Sequence, residues 1–202
     1  MGFFVVFEGL DGSGTSTQAH LLTKYLRKTK KAYFLTKEPT NNLIGGLIRG
    51  QLTNEWKSSM ECLQLLFAAD RAHHLEKEID PALKKGFIVV CDRYKLSSIA
   101  YGSTEADTNW LIRINEKFRE PDLTILLKVS PKKCIERIKG RFSFELFERE
   151  NILSKVWSVY EVFVGGNIVM VDGERSIEDI HKDIVSLIEK KLMNREIATT
   201  LL

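Results

Sequence analysis

Cysteine is scarce in this chain of 202 residues: Cys62, Cys91 and Cys134 are odd in number, and each sits in an apolar context. That excludes a disulfide framework or a cysteine metal site and leaves buried free thiols as the expectation. Histidine is nearly as rare, and His73 and His74 are adjacent. Neighbouring positions on a helix do not share a face, so they do not make a metal pair. Charge of one sign is lacking too. Lys+Arg number 30 and Asp+Glu 27, a net +3, too small a bias to mark a nucleic-acid or membrane surface. No apolar run approaches the length of a membrane span. No basic stretch precedes a long apolar core at the N-terminus, so no signal peptide is expected and the cytoplasm is the default. No Ser/His/Asp or Cys/His constellation is present, and neither are internal repeats, low-complexity tracts or linkers. The length fits one α/β domain over residues 1–202.

What the chain does have is Gly9-Leu10-Asp11-Gly12-Ser13-Gly14-Thr15-Ser16-Thr17-Gln18. It follows the apolar run 3–7, which reads as a buried strand, and precedes an amphipathic stretch that reads as a helix. A phosphate-binding loop needs that order: strand, glycine-rich turn, helix N-terminus. In the pattern G-x-x-x-x-G-K-[ST], Gly9 and Gly14 take the glycine positions and Ser16 the hydroxyl position, while Thr15 stands at the lysine position. Gly12 and Gly14 admit backbone angles closed to other residues, so successive N–H groups can wrap an anion. The following helix adds unpaired N–H groups and the positive end of its dipole. Ser16 or Thr17 offers a hydroxyl to Mg2+. The bland alternative is a glycine-rich turn that caps an ordinary helix.

Short apolar runs at 3–8, 33–36, 87–91, 123–129 and 167–171 read as five strands. Helical patterns fill the intervals, including a long one from Ser58 to about Lys85 that Pro81 is expected to break or kink. Pro131 suits a first helical turn, where its missing N–H costs nothing. Continuous apolar strands alternating with helices predict a parallel sheet covered on both faces. Ligands in such sheets sit beyond the carboxyl ends of the strands. Asp11, Glu38, Asp92, Arg93 and Ser130 all fall there.

Six motifs in register resemble thymidylate kinases, P-loop nucleoside monophosphate kinases that phosphorylate dTMP to dTDP with ATP and Mg2+. Phe7-Glu8-Gly9-Leu10-Asp11-Gly12-Ser13-Gly14 is close to the family's F-E-G-x-D-G-x-G, and Thr36-Lys37-Glu38-Pro39 to T-R-E-P. Leu65-Leu66-Phe67-Ala68-Ala69-Asp70-Arg71 is like L-L-F-x-A-x-R. Asp92-Arg93-Tyr94 followed by Ser97-Ser98-Ile99-Ala100-Tyr101 is like D-R-Y-x-x-S-S-x-A-Y. Pro121-Asp122-Leu123-Thr124 precedes a segment like the family's lid, and Val171-Asp172-Gly173 is similar to its adenine-contacting turn. Three positions depart from the family pattern: Thr15 for the loop lysine, Lys37 for an arginine, and Gly102 where many bacterial members carry a glutamine touching the base.

The resemblance implies a P-loop NTPase-type fold with five parallel strands, helices on both faces, and a mobile lid over roughly residues 140–150. It implies ATP as donor, dTMP as acceptor, Mg2+ as cofactor, a role in dTTP biosynthesis, and a homodimer formed through the apolar side of the long helix around Leu63 to Phe67. ATP would lie on Gly9, Leu10, Asp11, Gly12, Ser13, Gly14, Thr15, Ser16 and Thr17, with Arg137, Asp172 and Gly173 near the adenine. dTMP would meet Asp11, Lys37, Glu38, Pro39, Arg49, Phe67, Arg71, Arg93, Ser98 and Tyr101. In this picture Phe67 stacks on thymine, Arg71 donates to it, and Tyr101 guards the sugar. Asp11, Arg93 and the lid's Arg141 carry catalysis, and Ser16 and Asp92 hold the metal. By spacing alone, Phe67 reads as core, Arg49 as a solvated helix charge, Arg93 as the partner of Asp92, and Arg137 with Arg141 as a solvated face. Two other functions stay open: a relative that acts on another nucleoside or monophosphate, and a nucleotide-binding protein that lost catalysis with its lysine.

Overall fold

Phe3, Val5 and Phe7 pack into one cluster with Leu22, Leu26 and Ile184, while Phe4 and Val6 pack into another with Ile79 and Tyr94. Alternate side chains of a strand point to opposite faces, so the strand that carries them, β1 (Phe3–Gly9), is buried on both sides. This is the expected consequence of its unbroken apolar run. The computed structural model describes residues 2–139, 147 and 149–200, with side chains described as far as residue 195.

After β1 come α1 (Thr15–Lys28), β2 (Tyr33–Lys37), α2 (Leu43–Leu52), α3 (Met60–His74), a π-helical turn (Leu75–Ile79) and α4 (Asp80–Lys84). β3 (Ile88–Asp92), α5 (Lys95–Gly102), α6 (Thr108–Asn115), β4 (Leu123–Lys128) and α7 (Pro131–Ile138) follow, then α8 (Glu150–Val162), β5 (Ile168–Asp172) and α9 (Ile177–Thr200). The five strands pair in parallel in the order β2-β3-β1-β4-β5. α1 and α9 cover one face; α5 and α8 lie on the other. The expected five-stranded parallel α/β fold is the one observed. Its register sets the carboxyl ends side by side: Asp92 pairs with both Phe7 and Lys37, and Lys128 with Asp172.

Pro81 does not interrupt the long helical run. It sits in the first turn of α4, and the irregularity lies before it, where Asp80 N–H donates to Leu75 carbonyl across a wide turn. A wide π turn shifts the hydrogen-bond register by one residue, and Pro81, with no N–H of its own, follows that shift. The expectation for cysteine needs one correction. Cys91 and Cys134 are buried, and burial pushes the Cys134 thiol up to about 12 and the Cys91 thiol well above its usual range, so both stay protonated. Cys62, however, is exposed. It lies in the first turn of α3 on the solvent side, next to the fully buried Leu63. Leu63 corrects the expected interface in the same way. It belongs to the core, and the outward apolar side chain nearby is Leu65, 53% exposed. No described helix is long and apolar enough to cross a membrane.

Candidate active site

A cleft of about 570 Å³ opens at the carboxyl ends of β1, β2 and β3. One wall is the loop between β1 and α1. Gly12 has φ +84 and Gly14 φ +100, both in the left-handed region that favours glycine. At Gly12 a Cβ would also lie 2.6 Å from the Cys134 carbonyl, so the close approach of α7 adds a second reason for glycine. Gly14 caps α1 without any side-chain hydrogen bond, and Thr15 is the first helical residue. The first N–H groups of α1 thus face the cleft as anion donors, aligned with the positive end of the helix dipole.

The opposite wall comes from α3 and α5. Lys37, Glu38, Pro39, Arg49, Phe67, Arg71, Asp92, Arg93, Ser98 and Tyr101 all line the cleft, together with Asp11 to Thr17, Arg137 and Gly173. Residues far apart in sequence therefore meet where the motifs placed them. Three do not reach the cleft. Leu10 is fully buried in the core. Gly9 lies behind the loop, its carbonyl accepting from Arg93 and Tyr160. Asp172 is exposed outside the lining, where its Oδ1 accepts from Glu174 N–H at 3.0 Å. Arg141 lies outside the described residues.

Arg93 ties the two walls together. It follows β3 with φ 74, a strained value for a non-glycine residue, and its N–H donates to Phe7 carbonyl at 2.9 Å. Its guanidinium donates to Asp11 Oδ1 at 2.8 Å, to Gly9 carbonyl, and to Tyr160 Oη at 3.4 Å. The partner is thus Asp11 rather than the adjacent Asp92. Asp11 N–H in turn donates to Tyr101 Oη at 2.8 Å, which pins the loop to α5. Burial raises the Tyr101 phenol well above its usual range, and the Asp11 charge adds to the effect, so the hydroxyl stays neutral.

Behind this pair lies Glu8, fully buried. Its Oε1 accepts from Tyr94 N–H at 3.0 Å and Ser97 N–H at 3.2 Å, and its Oε2 from the Ser97 hydroxyl and from Tyr160 Oη at 3.3 Å. Tyr94 caps α5 with no side-chain hydrogen bond of its own, so a carboxylate on β1 supplies that cap across the sheet. Burial raises Glu8 to about 7; Arg93 and the Ser97 and Tyr94 hydrogen bonds pull the other way.

Arg71 is 1% exposed. It donates to Glu38 at 2.9 Å, to Ser98 Oγ at 2.8 Å and to Asn115 Oδ1, and lies 5.1 Å from the Tyr94 ring and 5.6 Å from the Phe118 ring. Glu38 also meets His74 at 3.1 Å. Arg71 therefore anchors α3 to the loop after β2, to α5 and to α6 as well as lining the cleft. Arg49 donates to Thr40 carbonyl. Arg137 reaches Ser13 carbonyl at 3.3 Å and Gly173 carbonyl at 3.1 Å, bridging the phosphate loop and the turn after β5.

For a metal, Ser16 Oγ donates to Asp92 Oδ2, and Asp92 Oδ1 is buried with no hydrogen-bond partner among the described residues. A hydroxyl beside a half-engaged carboxylate, next to a phosphate loop, is a donor set that fits a hard divalent cation. Sequence reasoning gave no role to Tyr160, Ser97 or Gln64. Tyr160 sits 152 positions from Glu8 and left no local signal. Gln64 did leave one: it is three residues before Phe67 and seven before Arg71, the spacing of one helix face.

The family model for thymidylate kinase matches residues 7–184. A probable thymidylate kinase of Pyrococcus horikoshii is 42% identical over 203 residues, 95% of this chain and 98% of that protein. One from Thermococcus gammatolerans is 40% identical over 208 residues, 96% of this chain and 99% of the relative. Among solved structures, a thymidylate kinase from Candida albicans superposes with a TM-score of 0.77 at 28% identity, covering 94% of this chain and 92% of that one.

Proposed function

The chain belongs to the thymidylate kinase family, which makes it an ATP-dependent nucleoside monophosphate kinase, and on that footing we propose that it transfers the γ-phosphoryl group of ATP to dTMP, giving ADP and dTDP, with Mg2+ as cofactor. The observation that carries this reading is Arg93, held by Asp11 and the Gly9 carbonyl between the phosphate loop and the wall of α3 and α5. Phosphoryl transfer asks little covalent chemistry of a protein. It needs the two phosphates in line and positive charge on the transferred oxygens.

The loop amides and the start of α1 hold the donor phosphates. Phe67 presents a ring to the acceptor base, and Tyr101 closes the sugar side. Asp11 accepts from the sugar hydroxyl, a role supported by its hold from Tyr101 and Arg93. Ser16 and Asp92 would hold Mg2+, which when bound spreads positive charge over the donor phosphates. Thr15 leaves that loop position uncharged, so the remaining positive charge comes from Arg93 and from Arg141, whose role rests on the resemblance alone. The protein works as a homodimer: Leu43, Leu47 and Leu65 stand 82%, 45% and 53% exposed on the packed pair α2 and α3. The free thiols suit a cytoplasmic setting.

The test is ADP formation on addition of dTMP in the presence of ATP and Mg2+. Turnover with dTMP above dUMP, dCMP and dGMP is expected. ATP binding without turnover on any monophosphate overturns the reading in favour of a binding protein that lost catalysis with its loop lysine. Turnover on another monophosphate with dTMP inert would reassign the acceptor.

A further inference from the structure

Gln64 lies on the acceptor wall, 1% exposed and lining the cleft. Its Nε2 faces Met60 Sδ at 3.5 Å. A thioether accepts and does not donate, so the amide nitrogen belongs on that side and the carbonyl oxygen on the other. Oε1 is buried and has no hydrogen-bond partner among the described residues. A buried carbonyl left without a donor is disfavoured, and a native structure holding one needs a reason for it. The chain also makes room for this amide. A Cβ on Gly102 of α5 would lie 2.9 Å from Gln64 Cδ and 2.9 Å from Leu111 Cδ1. The cation on the same helix face does not satisfy the oxygen, because Arg71 donates to Glu38, Asn115 and Ser98.

We infer that Gln64 Oε1 accepts the ring N–H of the acceptor's nucleobase and so selects imide bases over cytosine. The inference rests on the acceptor reading given above. Thymine and uracil carry N3–H between two carbonyls. Cytosine presents a bare N3 lone pair, which would meet the Gln64 lone pair head on. Turning the amide over does not rescue cytosine, because it sets Oε1 against the Met60 sulfur, acceptor against acceptor. A site that leaves its own buried acceptor unpaired rejects the wrong ligand strongly.

The experiment compares kcat/KM for dTMP, dUMP and dCMP in the unaltered protein and in Gln64→Leu, which keeps the bulk and removes the acceptor. The dTMP-to-dCMP ratio should fall by about tenfold or more in Gln64→Leu, with KM for ATP unchanged. A folded Gln64→Leu whose ratio stays within about twofold of the unaltered protein overturns the inference. A second measurement needs no variant: the N3 imino proton of isotopically labelled dTMP, followed by NMR in the unaltered complex. Protection from solvent exchange supports the contact, and exchange as fast as in free dTMP overturns it. If dTMP is turned over with selectivity indifferent to Gln64, only this inference fails. If no pyrimidine monophosphate binds at all, the acceptor reading fails with it.

Discussion

Arg93 donates to Asp11 across 2.8 Å, and through that one ion pair the end of β3 grips the phosphate loop. Both side chains are about four-fifths buried, with 16% and 25% exposure. The pair is well shielded but open to ligand on one side.

Arg93→Lys should therefore cost nearly as much as Arg93→Ala. A single ammonium cannot span the Asp11 carboxylate and the Gly9 carbonyl together as the planar fork does. We expect kcat to fall about 10²- to 10³-fold in both variants, the scale of losing one preorganised transition-state donor. The dissociation constant for ATP should change by less than about tenfold. Steady-state kinetics and nucleotide titration measure the two quantities. Equal losses in kcat and ATP affinity would mark Arg93 as structural.

Glu8 predicts a pH dependence of stability. Burial raises its carboxyl from 4.5 to about 7 in the folded protein. The folded state then holds a proton that the unfolded state has already released. This contribution to stability is complete below pH 4.5 and is lost as pH rises through about 7. Glu8→Gln, which resembles the protonated form, should gain relative to the unaltered protein between pH 5 and 8, by up to roughly 3 kcal/mol. Denaturant unfolding at several pH values checks this. A difference that stays constant with pH contradicts it.

Gly102→Ala tests the close contact of α5 with α3 and α6. The new methyl would meet Gln64 and Leu111 at 2.9 Å, and Leu111 is fully buried. Overpacking of this kind costs about 1–3 kcal/mol. We expect that loss in urea unfolding, together with a KM for dTMP that rises while the KM for ATP holds. Unaltered stability would show that the helices can move apart at no cost.

The exposed leucines of α2 and α3 make the last prediction. Leu43→Asp combined with Leu65→Asp should convert a dimer to a monomer in light scattering, with the helical circular dichroism retained. Both side chains point away from the core, at 82% and 53% exposure, so the monomer should still fold. A monomeric unaltered protein would remove the premise.

The sequence by itself determined the five strands, their parallel pairing and the phosphate loop. Each rests on a local pattern: unbroken apolar runs for strands buried on both faces, helical spacing between them, and glycines where φ turns positive. The cleft's lining was legible in the same way, because a parallel sheet brings the ends of its strands to one edge. Asp11, Glu38, Asp92 and Arg93 then meet without any knowledge of packing, whereas Phe67 and Arg71, on α3, were placed there by the family resemblance and not by their spacing.

Only the tertiary structure decided who holds whom. By sequence Arg93 had Asp92 beside it, yet it pairs with Asp11, because its positive φ turns the chain away from β3 toward the loop. Helical spacing put Arg71 on one face with Phe67 and the resemblance put that face at the site, but Glu38 from the loop after β2, Asn115 of α6 and Ser98 of α5 take its donors. Glu8 and Tyr160 meet across 152 residues, and Gln64 finds its space only because Gly102 lies opposite. Periodicity states which side of an element is buried. It carries no information about which atom of a distant element fills the space there, since shape and hydrogen-bond geometry fix that only once the layers have packed.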